Sequence, residues 1–447
     1  MKKKRYALVG TGSRARMFLR AITNDFNEHA ELVALCDINQ GRMDYYNKTF
    51  LKEEGNNHYD VPTFHSSEFD KMIEKTKPDI VIITSVDRTH HVYGCRAMEL
   101  GCDVISEKPM TVDKEKCQQI IDTQKRTGRN YKVAFNYRYA PRNTKVKQLL
   151  REKIIGDVTT INFEWMLDTS HGADYFRRWH RDKLNSGGLM VHKSTHHFDL
   201  VNWWLDSQPE TVFAMGGLKF YGRENAEGRG ISEFYPRARY SETAQKDPFA
   251  LKVAPGSGND LLYYQTEQYD GYYRDQNVFG DGISIEDNMN VMVKYDNGTV
   301  MNYILCAHSP WEGYRVTFNG TKGRLELNHV GKAVTDIGED MSTFGLRDDQ
   351  DNSLDLDRKN MIPEIIVQQH WGKAFECTYT EGKGGHGGGD PRLLADLFTE
   401  VKNDEFGHAA DFRDGAMSIL TGVGANISMQ TGNPVKLSEL VRMDQPE

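Results

Sequence analysis

Short apolar runs alternate with amphipathic stretches along the first third of the chain. The amphipathic stretches repeat apolar residues at helical spacing and predict the helices Arg14 to Thr23, Gly41 to Lys52, Glu68 to Lys75, His90 to Leu100 and Lys114 to Arg126. The β-branched runs before and between them predict the strands Tyr6 to Val9, Leu32 to Cys36, Ile80 to Thr84, Val104 to Ser106 and Tyr131 to Phe135. This alternation indicates an α/β domain with a doubly wound parallel sheet over residues 1–140.

The pattern changes after Tyr139. One helix is predicted over Asn143 to Lys153, and an Asp296-Asn-Gly298 turn joins two of the longer strands that follow. These alternate polar and apolar residues over Val158 to Met166, Thr211 to Gly217, Met289 to Tyr295, Thr299 to Ala307, Tyr314 to Asn319 and Gly323 to Leu327. They predict an α+β domain over 141–447 with a large open, mainly antiparallel sheet. Residues 222–285 are polar and aperiodic and are interpreted as an insertion. The helices Pro391 to Val401 and Asp411 to Met429 follow.

Composition narrows the class of protein. A chain of 447 residues with 38% hydrophobic and 27% charged residues is typical of a folded, soluble protein with more than one core. Its net charge of −8 argues against a nucleic-acid partner. The basic Lys2 to Arg5 precedes an apolar run too short for a signal peptide, and no run is long enough to span a membrane. We therefore expect a cytoplasmic protein with no membrane partner, whose six separated cysteines are free thiols.

A glycine pattern marks the turn between the first predicted strand and helix. In Gly10-Thr-Gly12-Ser13-Arg14-Ala15, the first glycine allows a tight turn, the second lets the backbone approach a pyrophosphate, and the alanine allows close helix–strand packing. Asp37 ends the second predicted strand, where a carboxylate binds the adenosine ribose and repels a 2′-phosphate. The pattern predicts a Rossmann domain that binds NAD. Arg14 and Arg42 keep NADP open as the less favoured cofactor.

A lysine follows the strand predicted at Val104. Glu107-Lys108-Pro109 thus lies at the carboxyl edge of the sheet, where a doubly wound fold binds its ligands. Pro109 restricts the backbone of Lys108 to an extended conformation. A lysine beside a cationic nicotinamide loses proton affinity, which suits a group that exchanges a proton with an alcohol.

A second group of ionisable residues follows the glycine pair at 187–188. The spacing of His192, His196 and Asp199 places all three on one face of a predicted helix. We interpret this face as an acid/base surface aimed at the substrate. Two alternatives stay open. The histidines could form a helix face of packed side chains, or they could bind zinc, although the HExxH glutamate and a third ligand are missing. We predict no metal.

These motifs, in this order and spacing, resemble the Gfo/Idh/MocA oxidoreductase family over nearly the whole chain. The resemblance implies a sugar or cyclitol bound between the two domains, and a homo-oligomer (dimer or tetramer) formed through the open sheet. It implies that Lys108 is the catalytic lysine and that His196 exchanges the hydroxyl proton as hydride passes to or from nicotinamide C4. It also places around the cofactor Thr84, Ser85, His90, Glu107 and Asn136.

One position departs from the family pattern. Many relatives have an aspartate four residues before the histidine, whereas this chain has His192, with Ser194 in place of the usual glycine. His192 is therefore a further candidate catalytic residue. A second histidine is also compatible with relatives that retain NAD and cleave glycosides by transient oxidation and elimination.

Further candidates for the substrate pocket lie on either side of these motifs. Before the glycine pair they are Tyr175, Arg178, Trp179 and Arg181. In the Gly-rich segment 384–390, His386 is a candidate because the backbone there can approach a ligand closely, and Asp390 is predicted to cap the following helix. Gly271 to Asp275, within the insertion, is interpreted as a solvated loop, with a lid over the site as the alternative.

The sequence therefore predicts an NAD-dependent oxidoreductase. It would transfer a hydride between nicotinamide and a carbinol carbon of a sugar, cyclitol or glycoside. An NAD-dependent glycoside hydrolase or lyase is the alternative. An NAD(H)-binding regulator is a third hypothesis, which leaves Lys108 and His196 without a role.

Overall fold

A seven-stranded sheet organises the N-terminal part of the computed structural model, which describes residues 2–53, 60–335, 362–399 and 404–443. Its strands are β1 (Lys4–Val9), β2 (Ala30–Asp37), β3 (Thr63–His65), β4 (Ile80–Ile83), β5 (Asp103–Ser106), β6 (Tyr131–Val133) and β15 (Ala410–Asp411). The spatial order is β15-β6-β5-β4-β1-β2-β3, and all neighbours are parallel except β15 against β6. The predicted doubly wound parallel sheet is confirmed, and its strand order reverses between β1 and β4.

Helices cover this sheet on both faces. The four residues of β4 are all buried, as expected for a parallel strand packed on both sides. The α6 helix begins where the Asp113 carboxylate accepts from the Lys116 N–H, and it ends at Gly128 with φ 64°. Short π-helical turns extend α1 and α2. The helices are α1 (Ala15–Arg20), α2 (Gln40–Tyr45), α3 (Leu51–Glu53), α4 (Phe69–Thr76), α5 (His90–Glu99) and α6 (Lys114–Thr127).

A nine-stranded sheet organises the rest of the chain. Its strands are β7 (Val158–Asp168), β8 (Pro209–Gly217), β9 (Asn288–Tyr295), β10 (Val300–Ser309), β11 (Glu312–Gly320), β12 (Gly323–Lys332), β13 (Ile365–Gln369), β14 (Phe375–Glu376) and β16 (Val435–Lys436). The order is β14-β13-β12-β11-β7-β10-β9-β8-β16, and only β7 and β10 pair in parallel. Alternate residues of β9 are buried, so one face of the sheet packs on the core. The mainly antiparallel sheet is confirmed.

The helices of this part lie between the two sheets and carry several predicted site residues. The single helix predicted after the glycine pair is wrong, because Lys193 and Ser194 interrupt it and separate α10 from α11. No helix within the described ranges is both long and apolar enough to cross a membrane. The predicted helix from Pro391 to Val401 follows a turn in which His386, Gly387 and Gly388 have positive φ, and its last two residues lie outside the described ranges. The helices are α7 (Pro141–Arg151), α8 (Thr169–Arg177), α9 (Lys183–Ser186), α10 (Leu189–His192), α11 (Thr195–Leu205), α12 (Arg223–Gly228), α13 (Glu267–Asp270), α14 (Gly385–Phe398) and α15 (Phe412–Thr431).

The 222–285 insertion packs against the Rossmann domain. The interpretation of Gly271 to Asp275 as a solvated loop is wrong, because Arg274 and Asp275 are each only 1% exposed. Thr266, just before α13, accepts a hydrogen bond from the Asn39 side chain through its backbone oxygen. The insertion therefore closes over the ends of β1 and β2.

Candidate active site

A cavity of about 830 Å³ lies at the carboxyl edge of the parallel sheet. Helices α8, α10 and α11, residues 178–180 after α8, the start of α14 and the insertion form its other walls. Most of the predicted site residues line it together, namely Gly10, Gly12, Ser13, Arg14, Asp37, Thr84, Ser85, His90, Glu107, Lys108, Asn136, Tyr175, Trp179, His192, His196 and His386.

The glycine-rich turn has the geometry of a dinucleotide-binding loop. Gly10 has φ 91°, and a Cβ on it would lie 2.4 Å from the Ser85 nitrogen, so no other residue fits this crossing. The Thr84 hydroxyl donates to the Gly10 carbonyl at 2.5 Å and fixes the turn against β4. Ala15 does not line the cavity but is fully buried beneath it. These contacts leave the Gly12 backbone at the cavity wall.

Asp37 is held as an ionisable acceptor at the end of β2. One carboxylate oxygen accepts from the Thr11 N–H and hydroxyl, the latter at 2.8 Å, and the other accepts from the Asn39 N–H at 2.9 Å. The two arginines that could favour a 2′-phosphate are already paired. Arg14 Nε lies 2.5 Å from Glu107, and Arg42 Nη2 lies 2.7 Å from Asp270 of the insertion.

Lys108 follows β5 and enters the middle of the cavity across a cis Lys108–Pro109 peptide bond. Its Nζ donates to the backbone oxygen of His192 at 3.3 Å. Burial lowers the pKa of Lys108 below its ordinary 10.5, although the carboxylates of Asp87 and Glu107 oppose this shift. Lys108 is therefore an amine that gives up its proton more readily than a surface lysine.

His192 is paired with an acid that the sequence did not indicate. Its Nδ1 lies 2.5 Å from a carboxylate oxygen of Asp87, just after β4, and both side chains are buried. Burial lowers the pKa of His192 well below 6.5, and the charge of Lys108 adds to this effect. Burial also raises the pKa of Asp87. An aspartate in the first turn of a helix is usually a capping residue, so the local sequence gave no signal for this role.

His196 and His386 face the same side of the cavity. The His196 ring stacks on Tyr137 with centroids 4.5 Å apart, and its buried Nδ1 has no hydrogen-bond partner among the described residues. Burial lowers the pKa of His196 well below 6.5. His386 Nδ1 lies 3.0 Å from Asp390, whose other oxygen accepts from Asn136 at 2.6 Å. Asp390 was predicted as a helix cap, but its carboxylate positions these two cavity residues.

Two predicted substrate-binding residues lie outside the cavity. Asp199 is 1% exposed and forms a two-pronged ion pair with Arg138, at 2.6 and 2.8 Å, so its position on α11 points it into the core. Arg181 donates to the backbone oxygens of Asn277 and Asp281 and thereby anchors the insertion. By contrast, Tyr175 and Trp179 line the cavity and each places its ring edgewise to His192.

Several cavity residues were not singled out from the sequence. Lys193 lies over the Trp165 ring at 4.7 Å, and burial lowers its pKa to about 8. His171 contacts both carboxylate oxygens of Glu312. The insertion adds Tyr263 and Asp270, together with Tyr272 and Arg274 from the segment Gly271 to Asp275, for which a lid was the alternative interpretation. These groups meet only through tertiary packing, so no local motif could connect them.

The residues present fit a nicotinamide dinucleotide. The glycine turn offers backbone N–H groups, Asp37 offers acceptors, and the buried Oδ1 of Asn136 has no partner among the described residues. Across the same described ranges, no three His, Cys, Asp or Glu side chains are grouped as metal ligands.

This fold and cavity define an oxidoreductase with an NAD-binding Rossmann domain and a C-terminal α/β domain. Residues 4–135 match the family described as "Oxidoreductase family, NAD-binding Rossmann fold", and residues 147–437 match "Oxidoreductase family, C-terminal alpha/beta domain". The chain belongs to the Gfo/Idh/MocA oxidoreductase family.

One relative matches this chain over nearly its full length. "Putative oxidoreductase YteT" of Bacillus subtilis is 34% identical over 98% of this chain and 99% of its own. "D-glucoside 3-dehydrogenase" of Escherichia coli is 26% identical over 45% of this chain and 54% of its own. "Glycosyl hydrolase family 109 protein 1" of Shewanella is 22% identical over 91% of this chain and 78% of its own. The relatives thus include sugar dehydrogenases.

Solved structures share the fold. The WlbA dehydrogenase from Chromobacterium violaceum, in complex with NADH and UDP-GlcNAcA, superposes with a TM-score of 0.61 and 18% identity, over 100% of this chain and 98% of that one. At this identity the similarity concerns the fold alone.

Proposed function

We propose that the protein is an NAD-dependent dehydrogenase acting on a carbinol carbon of a sugar, cyclitol or glycoside. The observation that carries this proposal is the meeting of Lys108, His192 and His196 with the glycine-rich turn in one cavity. A buried lysine and neutral histidines can exchange a proton with a hydroxyl group. The sugar and glycoside dehydrogenases among the relatives support the substrate class.

The choice of NAD over NADP follows from the adenosine end of the cavity. Asp37 places a carboxylate there, and the Arg42 guanidinium is engaged by Asp270. The Asp37 carboxylate would repel a 2′-phosphate. To pair with Arg42, the phosphate would also have to displace the Asp270 carboxylate. We therefore propose NAD as the cofactor.

The chain's own residues divide the proton chemistry among three positions. A bound nicotinamide supplies the hydride acceptor or donor. Lys108 Nζ, with its lowered pKa, accepts the hydroxyl proton during oxidation and returns it during reduction. His192 donates its Nδ1–H to Asp87, which leaves Nε2 as an acceptor for a substrate hydroxyl. His196 is held against Tyr137 and offers a further neutral imidazole to the same substrate.

Glycoside cleavage by transient oxidation receives less support than net oxidation. The relatives of that kind are distant, at 22% to 25% identity. No contact in the cavity singles out an acid for a leaving group, because His192, His196 and His180 all have pKa values well below 6.5 from burial. A protonated imidazole is therefore not the resting state of these histidines.

A substrate screen with purified protein tests the proposal. Inositols, free sugars, sugar acids and methyl glycosides are each incubated with NAD⁺, and reduced nicotinamide is followed by absorbance. We expect stoichiometric NADH from at least one class, and its loss in Lys108→Met and His196→Asn. Lys132→Met and His65→Asn are matched controls, since neither residue lines the cavity. Glycoside cleavage without net NADH would contradict the proposal.

The outer face of the large sheet supports a homo-oligomer. Met215 on β8, Met292 on β9 and Ile304 on β10 are exposed by 65%, 51% and 37%, and they lie on one face of adjoining strands. Contiguous exposed apolar side chains are typical of protein interfaces. We propose a dimer or tetramer through this face. Light scattering of the wild type and of Met292→Glu tests it, since a monomeric wild type would contradict it.

A further inference from the structure

The insertion brings buried cationic and hydroxyl groups into the cavity that the proposed reaction does not use. Arg274 lines the cavity and is 1% exposed, yet its Nε and Nη1 have no hydrogen-bond partner among the described residues. Within the same ranges, the buried hydroxyl of Tyr272 and Nε of Arg178 are also unpartnered. Leaving such groups unpaired away from water is costly, so together they point to a missing ligand.

The charges around these unpaired groups favour the binding of a negatively charged ligand. Asp174 is the carboxylate between three guanidinium groups, at 2.7 Å from Arg178, 3.5 Å from Arg177 and 3.7 Å from Arg274. These arginines outweigh the effect of burial and lower the pKa of Asp174, which is therefore ionised. One negative charge among three positive charges leaves the cluster cationic, and a cationic cluster in a buried wall attracts phosphate or carboxylate.

Tyr263 connects this cluster to the glycine-rich turn. Its hydroxyl accepts from the Ser13 N–H at 3.0 Å, and Arg274 lies 4.9 Å from the centre of its ring. The N–H groups that follow the second glycine of a Rossmann turn face the pyrophosphate of a dinucleotide. The phenol oxygen thus occupies a position suited to a phosphate oxygen, so a bound pyrophosphate displaces it from the Ser13 N–H, and Arg274 lies over the phenol ring.

We propose that Arg178, Tyr272 and Arg274 form a clamp for the pyrophosphate of the bound dinucleotide, which takes the Ser13 N–H from the Tyr263 hydroxyl. The inference rests on the proposed function, because it needs a dinucleotide in the cavity. The Rossmann turn holds one side of the pyrophosphate and the insertion holds the other, so the cofactor is enclosed and dissociates slowly. An acidic group on the substrate has the same chemistry, and the test separates these two sources.

The test compares three probes on four proteins. Calorimetry and stopped-flow fluorescence give affinities and dissociation rates for NAD⁺, ADP-ribose and adenosine with wild type, Arg274→Gln, Tyr272→Phe and Arg223→Gln. Arg223→Gln is the matched control, because Arg223 belongs to the same insertion, pairs with Asp281 and does not line the cavity. We expect Arg274→Gln to weaken NAD⁺ and ADP-ribose by about 10- to 100-fold. We expect Tyr272→Phe to weaken the binding of NAD⁺ and ADP-ribose by a smaller factor. We expect adenosine to bind all four proteins with the same affinity.

Each outcome decides the proposal. If Arg274→Gln and Tyr272→Phe melt like wild type and bind NAD⁺ and ADP-ribose as wild type does, the clamp is wrong. If both variants bind NAD⁺ and ADP-ribose as wild type does but raise the KM for a sugar acid in the substrate screen, the anion belongs to the substrate and the pyrophosphate assignment is overturned. If Arg274→Gln does not fold, Tyr272→Phe decides, because it keeps the ring. Wild type that does not bind NAD⁺ overturns the proposed function itself, whereas tight wild-type binding unaffected by either variant overturns the clamp alone.

Discussion

The carboxylate of Asp87 lies 2.5 Å from Nδ1 of His192, and this contact joins the Rossmann domain to the C-terminal domain inside the cavity. His192 stands where the family resemblance led us to expect an aspartate. The carboxylate beside it comes from another part of the chain, from Asp87 after β4. Lys108 donates to the backbone of His192, so the lysine, the histidine and the aspartate form one connected group.

Replacing Asp87 with asparagine tests the importance of this group. Without the carboxylate, His192 loses the acceptor that fixes its tautomer, and Lys108 loses a neighbouring negative charge. We expect kcat/KM for substrate oxidation to fall by about 10²-fold, with NAD⁺ affinity nearly unchanged. Asp70→Asn, at an exposed ion pair with Arg96, is the control. Unchanged turnover in Asp87→Asn would remove Asp87 from the mechanism.

The lowered pKa of Lys108 predicts a pH dependence. A protonated amine cannot accept the substrate proton, so kcat/KM for oxidation is low at acid pH. It rises as pH increases through the pKa of Lys108, which burial brings below 10.5, and is level above it. A pH profile of wild type and Lys108→Met checks this. Persistence of the same rise in Lys108→Met would assign it to another group, such as Lys193.

The carboxylate of Asp37 should set the preference of the protein for NAD⁺ over NADP⁺. Removing its charge in Asp37→Ser takes away the repulsion of a 2′-phosphate and the acceptor for the ribose hydroxyls. We expect the ratio of NADP⁺ to NAD⁺ affinity to increase by about tenfold or more, equivalent to about 1.4 kcal/mol. Fluorescence titration with both cofactors measures it. A wild type that already prefers NADP⁺ would show that Asp37 does not set the preference.

The Arg138–Asp199 pair predicts a stability effect away from the chemistry. Burial raises the pKa of Asp199 to about 7, and the Arg138 guanidinium opposes this shift. Arg138→Leu leaves this carboxyl without its partner, and we expect a loss of about 3–5 kcal/mol in the free energy of unfolding. Lys153→Leu, which breaks an exposed pair with Asp157, should change the free energy of unfolding very little. Denaturant melts compare them, and equal midpoints would contradict the account.

Local sequence patterns were sufficient to predict the parallel sheet and its cofactor-binding loop. The strands from β1 to β6, other than β3, and the turn at Gly10 follow from periodicity and from the demand for positive φ, both of which act within a few residues. β3 was missed because its three residues are too few to show a period. β15 was missed because Ala410 pairs with Val133, a partner nearly 280 positions away that only the folded chain provides.

Site residues that belong to a short sequence motif could be predicted, whereas those brought together only by tertiary packing could not. Lys108 and His196 were found from short motifs and lie in the cavity, although their roles stay predictions. Asp199 lies on the same helix as His196, but its partner Arg138 holds it in the core, and the break at Lys193 separates His192 from both. The insertion lacks periodicity because its order comes from buried ion pairs such as Arg42 with Asp270. Those contacts join parts of the chain that no pattern links.

An isotope-transfer experiment tests whether the protein moves a hydride between a carbinol carbon and nicotinamide. The substrate found in the screen is prepared with deuterium on the reacting carbon and incubated with NAD⁺ and the wild-type protein. Mass spectrometry then locates the label. We expect deuterium on C4 of the nicotinamide recovered from the wild-type reaction. We expect no deuterium at this carbon with Lys108→Met. Label that is lost to solvent, or that is found only on a cleaved glycoside product, would contradict it.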